Sequence, residues 1–305
     1  MDHGADILLQ AEGVARRDGP RMRLHPLDLT LHRGEVTALL GVNGAGKSTA
    51  LALLAGALRP SQGHIRVAGI DLSSRPRDAR RLLGLLPERP PFHPDLTVEE
   101  NLVFAARLRG LDRRGARAAA RRAAERLELD RLRHRLAGRL SRGMGQRLGI
   151  AQALVHDPPV LILDEPTAGL DPGQARALRT LIGTLGRERA VLMATHILAD
   201  VAQSCRRVVL LRGGRKIRDE RVERDAHARL KLLRPPAPDA LERLPGVLRA
   251  RPLEGGVFEL RLRDAPPDLA ETVAREGWGL VWFQRDTTPM EHWLAELVDT
   301  EPQAA

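Results

Sequence analysis

The sequence predicts an α/β protein. It should have a mixed, mainly parallel sheet with an N-terminal antiparallel β part, a helical insert and a small α+β C-terminal domain. Three observations predict this. Short apolar runs at 36–40, 160–163 and 191–194 alternate with helical stretches, the pattern of buried parallel strands joined by helices. The segment 107–147 is rich in Ala and Arg, strongly helix-forming, and interrupts that alternation. Five of the seven aromatic residues (Phe258, Trp278, Trp282, Phe283, Trp293) lie beyond residue 257, a shift in composition that marks a separate C-terminal module.

Residues 7–9 read as a strand, a turn follows near Asp18-Gly19-Pro20, and 27–31 alternates apolar and polar as a second strand. The run 36–40 is short and bounded by glycines, so it reads as a buried strand. The apolar stretch 48–58 reads as a helix that ends before Pro60. Thr97 followed by Glu100 predicts a capping box and a helix start. Residues 112–127 form the next helix, with Arg113, Arg117 and Arg121 in one i, i+4 row and Arg122 and Arg126 in a neighbouring one. Strands follow at 160–163 and 191–194. Arg234-Pro235-Pro236-Ala237-Pro238 reads as a linker. Beyond it, 257–262 and 280–283 read as strands and 290–298 as a closing helix, with Met290, Trp293, Leu294 and Leu297 on one face.

The chain carries 49 Lys+Arg against 39 Asp+Glu, a net charge of +10. The segment 107–147 holds fourteen Arg and four acids (Asp112, Glu125, Glu128, Asp130), which accounts for the whole excess. Because 46 of the 49 basic residues are Arg, codon bias explains the basicity better than selection for a polyanion. With 43% apolar residues the chain is not a disordered one. Cys205 is the only cysteine, which excludes an intrachain disulfide and a Cys-rich metal site. No apolar run reaches the roughly 18–20 residues of a membrane-spanning helix, and the N-terminus lacks a signal-peptide layout.

Two constellations carry chemistry. Gly41-Val42-Asn43-Gly44-Ala45-Gly46-Lys47-Ser48-Thr49 matches G-x-x-x-x-G-K-[ST] between a strand and a helix, so the core is that of a P-loop NTPase. Glycines let backbone amides turn toward phosphate oxygens, and the helix N-terminus favours anions. Lys47 would neutralise the β- and γ-phosphates, and the Ser48 hydroxyl would face Mg²⁺. The second constellation is the apolar run 160–163 ending in Asp164-Glu165. It places two carboxylates at the C-terminal edge of a parallel strand, where such sheets bind ligands. Asp164 would hold Mg²⁺ and Glu165 would polarise the attacking water.

With these residues in place the sequence resembles the ATP-binding-cassette (ABC) ATPases. Leu140-Ser141-Arg142-Gly143-Met144-Gly145-Gln146-Arg147 looks like their signature motif, Ala168-Gly169-Leu170-Asp171-Pro172 like the D-loop, and His196 like the switch histidine. Leu86-Pro87-Glu88-Arg89 resembles the Q-loop, with Glu88 where most members have Gln. Arg142 and Met144 depart from the commoner Gly and Gln, a form similar to one branch of bacterial exporters with separately encoded membrane subunits. The aromatic that stacks on adenine in the family falls at Asp18, and a guanidinium from Arg16 or Arg17 is the expected substitute.

The resemblance implies a nucleotide-binding domain over 1–230, with its helical insert at about 97–150, and an accessory α+β domain over 231–305. It implies an ATPase that powers a separately encoded integral membrane permease from the inner face of the cytoplasmic membrane. Two copies would pair head to tail with ATP and Mg²⁺ between them. Lys47, Glu88, Glu165 and His196 would be catalytic. Gly41, Asn43, Gly44, Ala45, Gly46, Lys47, Ser48 and Thr49 would hold the nucleotide, with Ser141, Gly143 and Asp171 completing the site. Ser48, Asp164 and Glu88 would face the metal. The alternatives are an ABC ATPase acting on ribosomes or DNA, and an accessory ATPase for assembly of a membrane enzyme. A single cassette and a short insert favour the exporter, with no nucleic-acid partner. The Arg-rich insert would then lie near lipid headgroups or acidic loops of the permease.

Overall fold

The computed structural model describes residues 7–222, 225–263 and 268–285. The chain divides into two compact units, Met1–Arg221 and Val222–Ala305.

The first unit opens on a long hairpin, β1 (Ile7–Asp18) and β2 (Arg21–His32). The register of β1 breaks between Ala11 and Val14, where Gly13 takes φ +57°, so its side chains do not alternate cleanly and only its start, 7–9, is legible as strand. Then come β3 (Glu35–Leu40), the loop 41–46 and α1 (Lys47–Leu54). Helix α1 stops short of the predicted residue 58 because Gly56 leaves the helix at φ +69°. Next are β4 (Gln62–Val67), β5 (Ile70–Asp71), α2 (Pro76–Arg81) and β6 (Leu83–Leu86).

The helical insert holds α3 (Val98–Leu108), α4 (Arg113–Arg126) and α5 (Arg142–Leu154). The capping box is present: Glu100 N donates to Thr97 Oγ1 at 3.2 Å and Thr97 N donates to Glu100 Oε2 at 2.8 Å. Helix α4 is capped by Asp112 and buries Ala116, Ala119, Ala120, Ala123 and Ala124, while the two predicted Arg rows face solvent. After the insert come β7 (Val160–Asp164), α6 (Pro172–Leu185), β8 (Ala190–Thr195), α7 (Leu198–Ser204), β9 (Arg207–Arg212) and β10 (Arg215–Arg221).

Strands β2-β1-β4-β5 form an antiparallel sheet, and β10-β9-β3-β8-β7-β6 a second sheet that is parallel except for the β9–β10 pair. One core joins them through α1, with Leu9, Leu29 and Ile65 from the first sheet, Leu51 and Leu54 from α1, and Ile162, Leu192 and Val209 from the second. A fully buried Leu contributes about 2 kcal/mol, so α1 is firmly anchored and the loop before it is held at both ends. Leu40 pairs with Thr195 and Asp164 with Ala194, so Gly41, Glu165 and His196 leave the sheet at the same edge.

The second unit is an antiparallel sheet, ordered β12-β13-β11-β14, with two short helices. Its elements are β11 (Asp225–Leu232), α8 (Pro238–Glu242), β12 (Val247–Pro252), β13 (Val257–Arg263), α9 (Leu269–Arg275) and β14 (Leu280–Arg285). Leu230, Leu241, Phe258, Leu260 and Val273 fill its core. The boundary expected at 230/231 falls inside β11. The proline run expected as a linker lies within this unit instead. Leu233 N and Arg234 N extend the pairing to Gly279 O and Trp278 O at 2.9 and 3.0 Å, and Pro238 opens α8. The predicted closing helix, 290–298, lies outside the described residues. Among the described residues, no helix is long and apolar enough to cross a membrane.

Candidate functional site

The loop between β3 and α1 forms one wall of a cleft of about 450 Å³. Its shape depends on glycine where the backbone demands it. Gly46 takes φ +100° beside the Arg23 carbonyl, and a Cβ at Gly41 would strike the Leu211 carbonyl. Gly46 sits at the N-cap of α1 and supplies no side-chain cap, so the first amides of the helix are left for a ligand. Asn43, Gly44, Ala45, Gly46, Lys47, Ser48 and Thr49 all line the cleft. The Lys47 ammonium is buried; it donates to Gly41 O at 2.7 Å and stands 3.4 Å from Glu165 Oε1.

The opposite wall comes from the ends of β7 and β8. Glu165 is held at φ +46°, a left-handed conformation that a non-glycine residue keeps only when its surroundings enforce it. Its amide donates to Ala194 O at 3.0 Å, which ties it to β8. Its carboxylate bridges Lys47 and His196, with Glu165 Oε2 2.9 Å from His196 Nδ1. Asp164 lies one residue back, at the end of β7. Burial pushes its carboxyl above the usual carboxylate range, and the charges of Glu165 and Glu88 act in the same direction. The Ser48 hydroxyl and the Lys47 charge oppose that shift. Glu88, in the loop after β6, is exposed and lines the same cleft.

The signature residues are elsewhere. Ser141 and Gly143 line a second depression of about 270 Å³ with Met144, Arg147, Leu170 and Gln174, and it shares no residue with the first cleft. Ser141 caps α5, its Oγ accepting from Met144 N at 3.3 Å. Asp171 caps α6 in the same way, accepting from Gln174 N at 2.9 Å. The Arg142 guanidinium covers Gly169, which takes φ +68° and has no room for a Cβ. Thus one chain gathers the phosphate loop, Glu88, Asp164, Glu165 and His196, but it does not bring Ser141, Gly143 or Asp171 to them.

Two features were missed by sequence reasoning. The first is the wall at the far end of the cleft, formed by Arg21, Met22 and Arg23 with Gly213 and Gly214. Arg16 does not serve there. Its guanidinium is tied to Asp18 at 2.7 Å and to Arg59 O at 2.9 Å, and neither Arg16 nor Arg17 lines the cleft. Asp18 also stands 3.4 Å from Arg23, so the acid at the expected aromatic position orients the guanidinium that does line the wall. The second is Asp200, a fully buried carboxylate behind Glu165 and His196. The only sequence signal for it was an acid four residues after His196, in a helix too short to show periodicity.

Comparison with known proteins identifies the family. The family model described as "ABC transporter" matches residues 24–168. The chain is 40% identical over 206 residues to the Nod factor export ATP-binding protein I of Burkholderia lata, covering 67% of each chain. It is 34% identical over 217 residues to the bacitracin transport ATP-binding protein BcrA of Bacillus licheniformis, covering 70% of this chain and 69% of that one. The solved structure of cbiO1 from Clostridium perfringens, described as part of the ABC transporter complex cbiONQ, superposes with a TM-score of 0.65 at 30% identity, covering 71% of this chain and 89% of that one.

Proposed function

The chain belongs to the ABC transporter family as an ATP-binding, ATP-hydrolysing subunit, and from that premise we propose that it powers export through a separately encoded membrane permease. The observation that carries the site reading is the convergence of Lys47, Glu165 and His196 across one cleft that opens on an uncapped helix N-terminus. The name of the Nod factor relative supports export, that of the bacitracin relative supports transport, and the description of cbiO1 supports a partner in a multi-subunit complex.

In this reading the amides of 43–49 and Lys47 hold the β- and γ-phosphates. Lys47 then exchanges its carbonyl and Glu165 contacts for phosphate oxygens. Freed from Lys47, Glu165 faces the attacking water and accepts its proton. His196, hydrogen-bonded to Glu165, keeps the carboxylate aimed at the γ-phosphate. The guanidinium of Arg23 and the thioether of Met22 flank the base in place of an aromatic ring.

The residues present fit Mg²⁺. The Ser48 hydroxyl at the start of α1 and the Asp164 carboxyl at the end of β7 offer hard oxygens, and the Glu88 carboxylate lines the same cleft. Among the described residues no cluster of three or more His, Cys, Asp or Glu forms a protein-only metal cage, which suits an ion shared with phosphate oxygens. Bound there, Mg²⁺ supplies charge neutralisation for the β- and γ-phosphate oxygens.

The site is completed by a second copy. Ser141 and Gly143 of that copy cap the γ-phosphate, with Asp171 beside them, and the pair works as a head-to-tail dimer on the inner face of the cytoplasmic membrane. The test is affinity purification of the full chain from detergent-solubilised membranes. Recovery with a multispanning membrane protein supports the exporter; recovery with ribosomes or DNA and no such protein overturns it.

A further inference from the structure

We propose that Asp200 is a positioning residue for hydrolysis, its buried carboxylate setting the spacing of Glu165 and His196 by holding Thr167, Thr195 and Arg179 at once. The inference rests on the reading of Glu165 as the residue that activates water.

The geometry is closed on all sides. Asp200 is fully buried in α7. Its Oδ2 accepts from Thr167 Oγ1 at 2.5 Å and from Thr195 Oγ1 at 2.8 Å, and its Oδ1 accepts from Arg179 Nε at 2.6 Å. Thr167 lies two residues after Glu165. Thr195 lies immediately before His196, and its Oγ1 also accepts from Ile197 N at 3.0 Å. Arg179 belongs to α6, the helix that follows the D-loop, and the Ser204 hydroxyl donates to its carbonyl at 3.3 Å.

One carboxylate therefore pins three segments. They are the turn that carries Glu165 at its strained φ, the strand end that carries His196, and the helix after Asp171. A neutral side chain could not accept from two hydroxyls and a guanidinium together. An unpaired acid would not stay buried without Arg179. The Glu165–His196 contact of 2.9 Å spans two chain segments that Asp200 also bridges through Thr167 and Thr195. Misplacement of a reacting group by about 1 Å costs roughly a hundredfold in rate, so a residue that touches no substrate can govern turnover.

The experiment measures steady-state ATP hydrolysis by the full chain carrying T195V, T195S, D200N or E165Q, with thermal melts of each. T195V removes only the hydroxyl and leaves the Asp200–Arg179 pair intact, so it decides the matter if D200N does not fold. The expected result is a kcat lowered on the order of tenfold to a hundredfold in T195V, with the KM for ATP within about twofold, and recovery of parent kcat in T195S. Parent kcat in T195V, or a T195S variant as slow as T195V, overturns the proposal. So does a KM that rises in step with the fall in kcat. An inactive E165Q beside a fully active T195V sinks the positioning role alone. A fully active E165Q sinks the site reading on which it rests.

Discussion

Three helix N-termini in this molecule carry motifs of the same ATPase, and one is finished differently from the other two. Helix α1 starts at Gly46 with no side-chain cap, so its leading amides are offered outward into the cleft. Helix α5 starts at Ser141, whose hydroxyl already accepts from Met144 N, and α6 starts at Asp171 in the same self-satisfied way. The difference teaches which part of the site is built within one chain. The phosphate loop, Asp164, Glu165 and His196 converge without help. The signature and D-loop ends satisfy their own caps and face a separate depression, and in the proposed dimer they would meet the nucleotide of a second chain.

Substitutions can break this contrast on either side. The largest effect is expected from E165Q, which should cut hydrolysis by roughly 10²–10⁴-fold and accumulate an ATP-bound dimer visible by light scattering. Next is K47A, expected to weaken ATP binding roughly a hundredfold in isothermal titration, since it removes a charged donor from the phosphates. On the signature side, S141D and S141A separate cap from catalysis. Asp caps as well as Ser, so S141D should melt near the parent temperature yet lose hydrolysis at least about tenfold by repelling phosphate. S141A should lose about 1 kcal/mol of stability in a denaturant titration as well. At the base end, R23A should raise the KM for ATP by about threefold to tenfold with kcat little changed, because in the proposed pose the guanidinium flanks the base and not the phosphates. The smallest effect is expected from replacing Arg113, Arg117 and Arg121 together with Gln. These exposed side chains face away from the alanine seam of α4, so basal hydrolysis by the full chain should stay within about twofold.

The parts of the site legible in the sequence are those encoded in a few adjacent residues. The loop 41–49 and Asp164-Glu165 report their own geometry, because glycine spacing and an apolar run ending in acids have few structural solutions. The capping box at Thr97 was equally local. What escaped depends on distance along the chain. Asp200 gathers partners at positions 167, 179 and 195, and no short pattern encodes that meeting. The wall of Arg21, Met22 and Arg23 is set by the hairpin register of β1 and β2, which slips near Arg16, so Arg16 is turned to Asp18 and the Arg59 carbonyl and Arg17 does not line the cleft. The proline run at 234–238 read as a linker for the same reason: only the pairing of residues 233 and 234 with 278 and 279 shows that it lies inside a sheet unit.

The central claim, that one chain holds the phosphate half of the site and lends the signature half to another, is tested by mixing two impaired variants. K47A keeps an intact signature, and S141D keeps an intact phosphate loop. In a two-fold dimer the mixed species contains one complete site, so an equal mixture should recover about a quarter of parent ATP hydrolysis, well above the residual rate of either variant alone. A mixture as inactive as its components, with both variants folded and dimerising, would contradict the account.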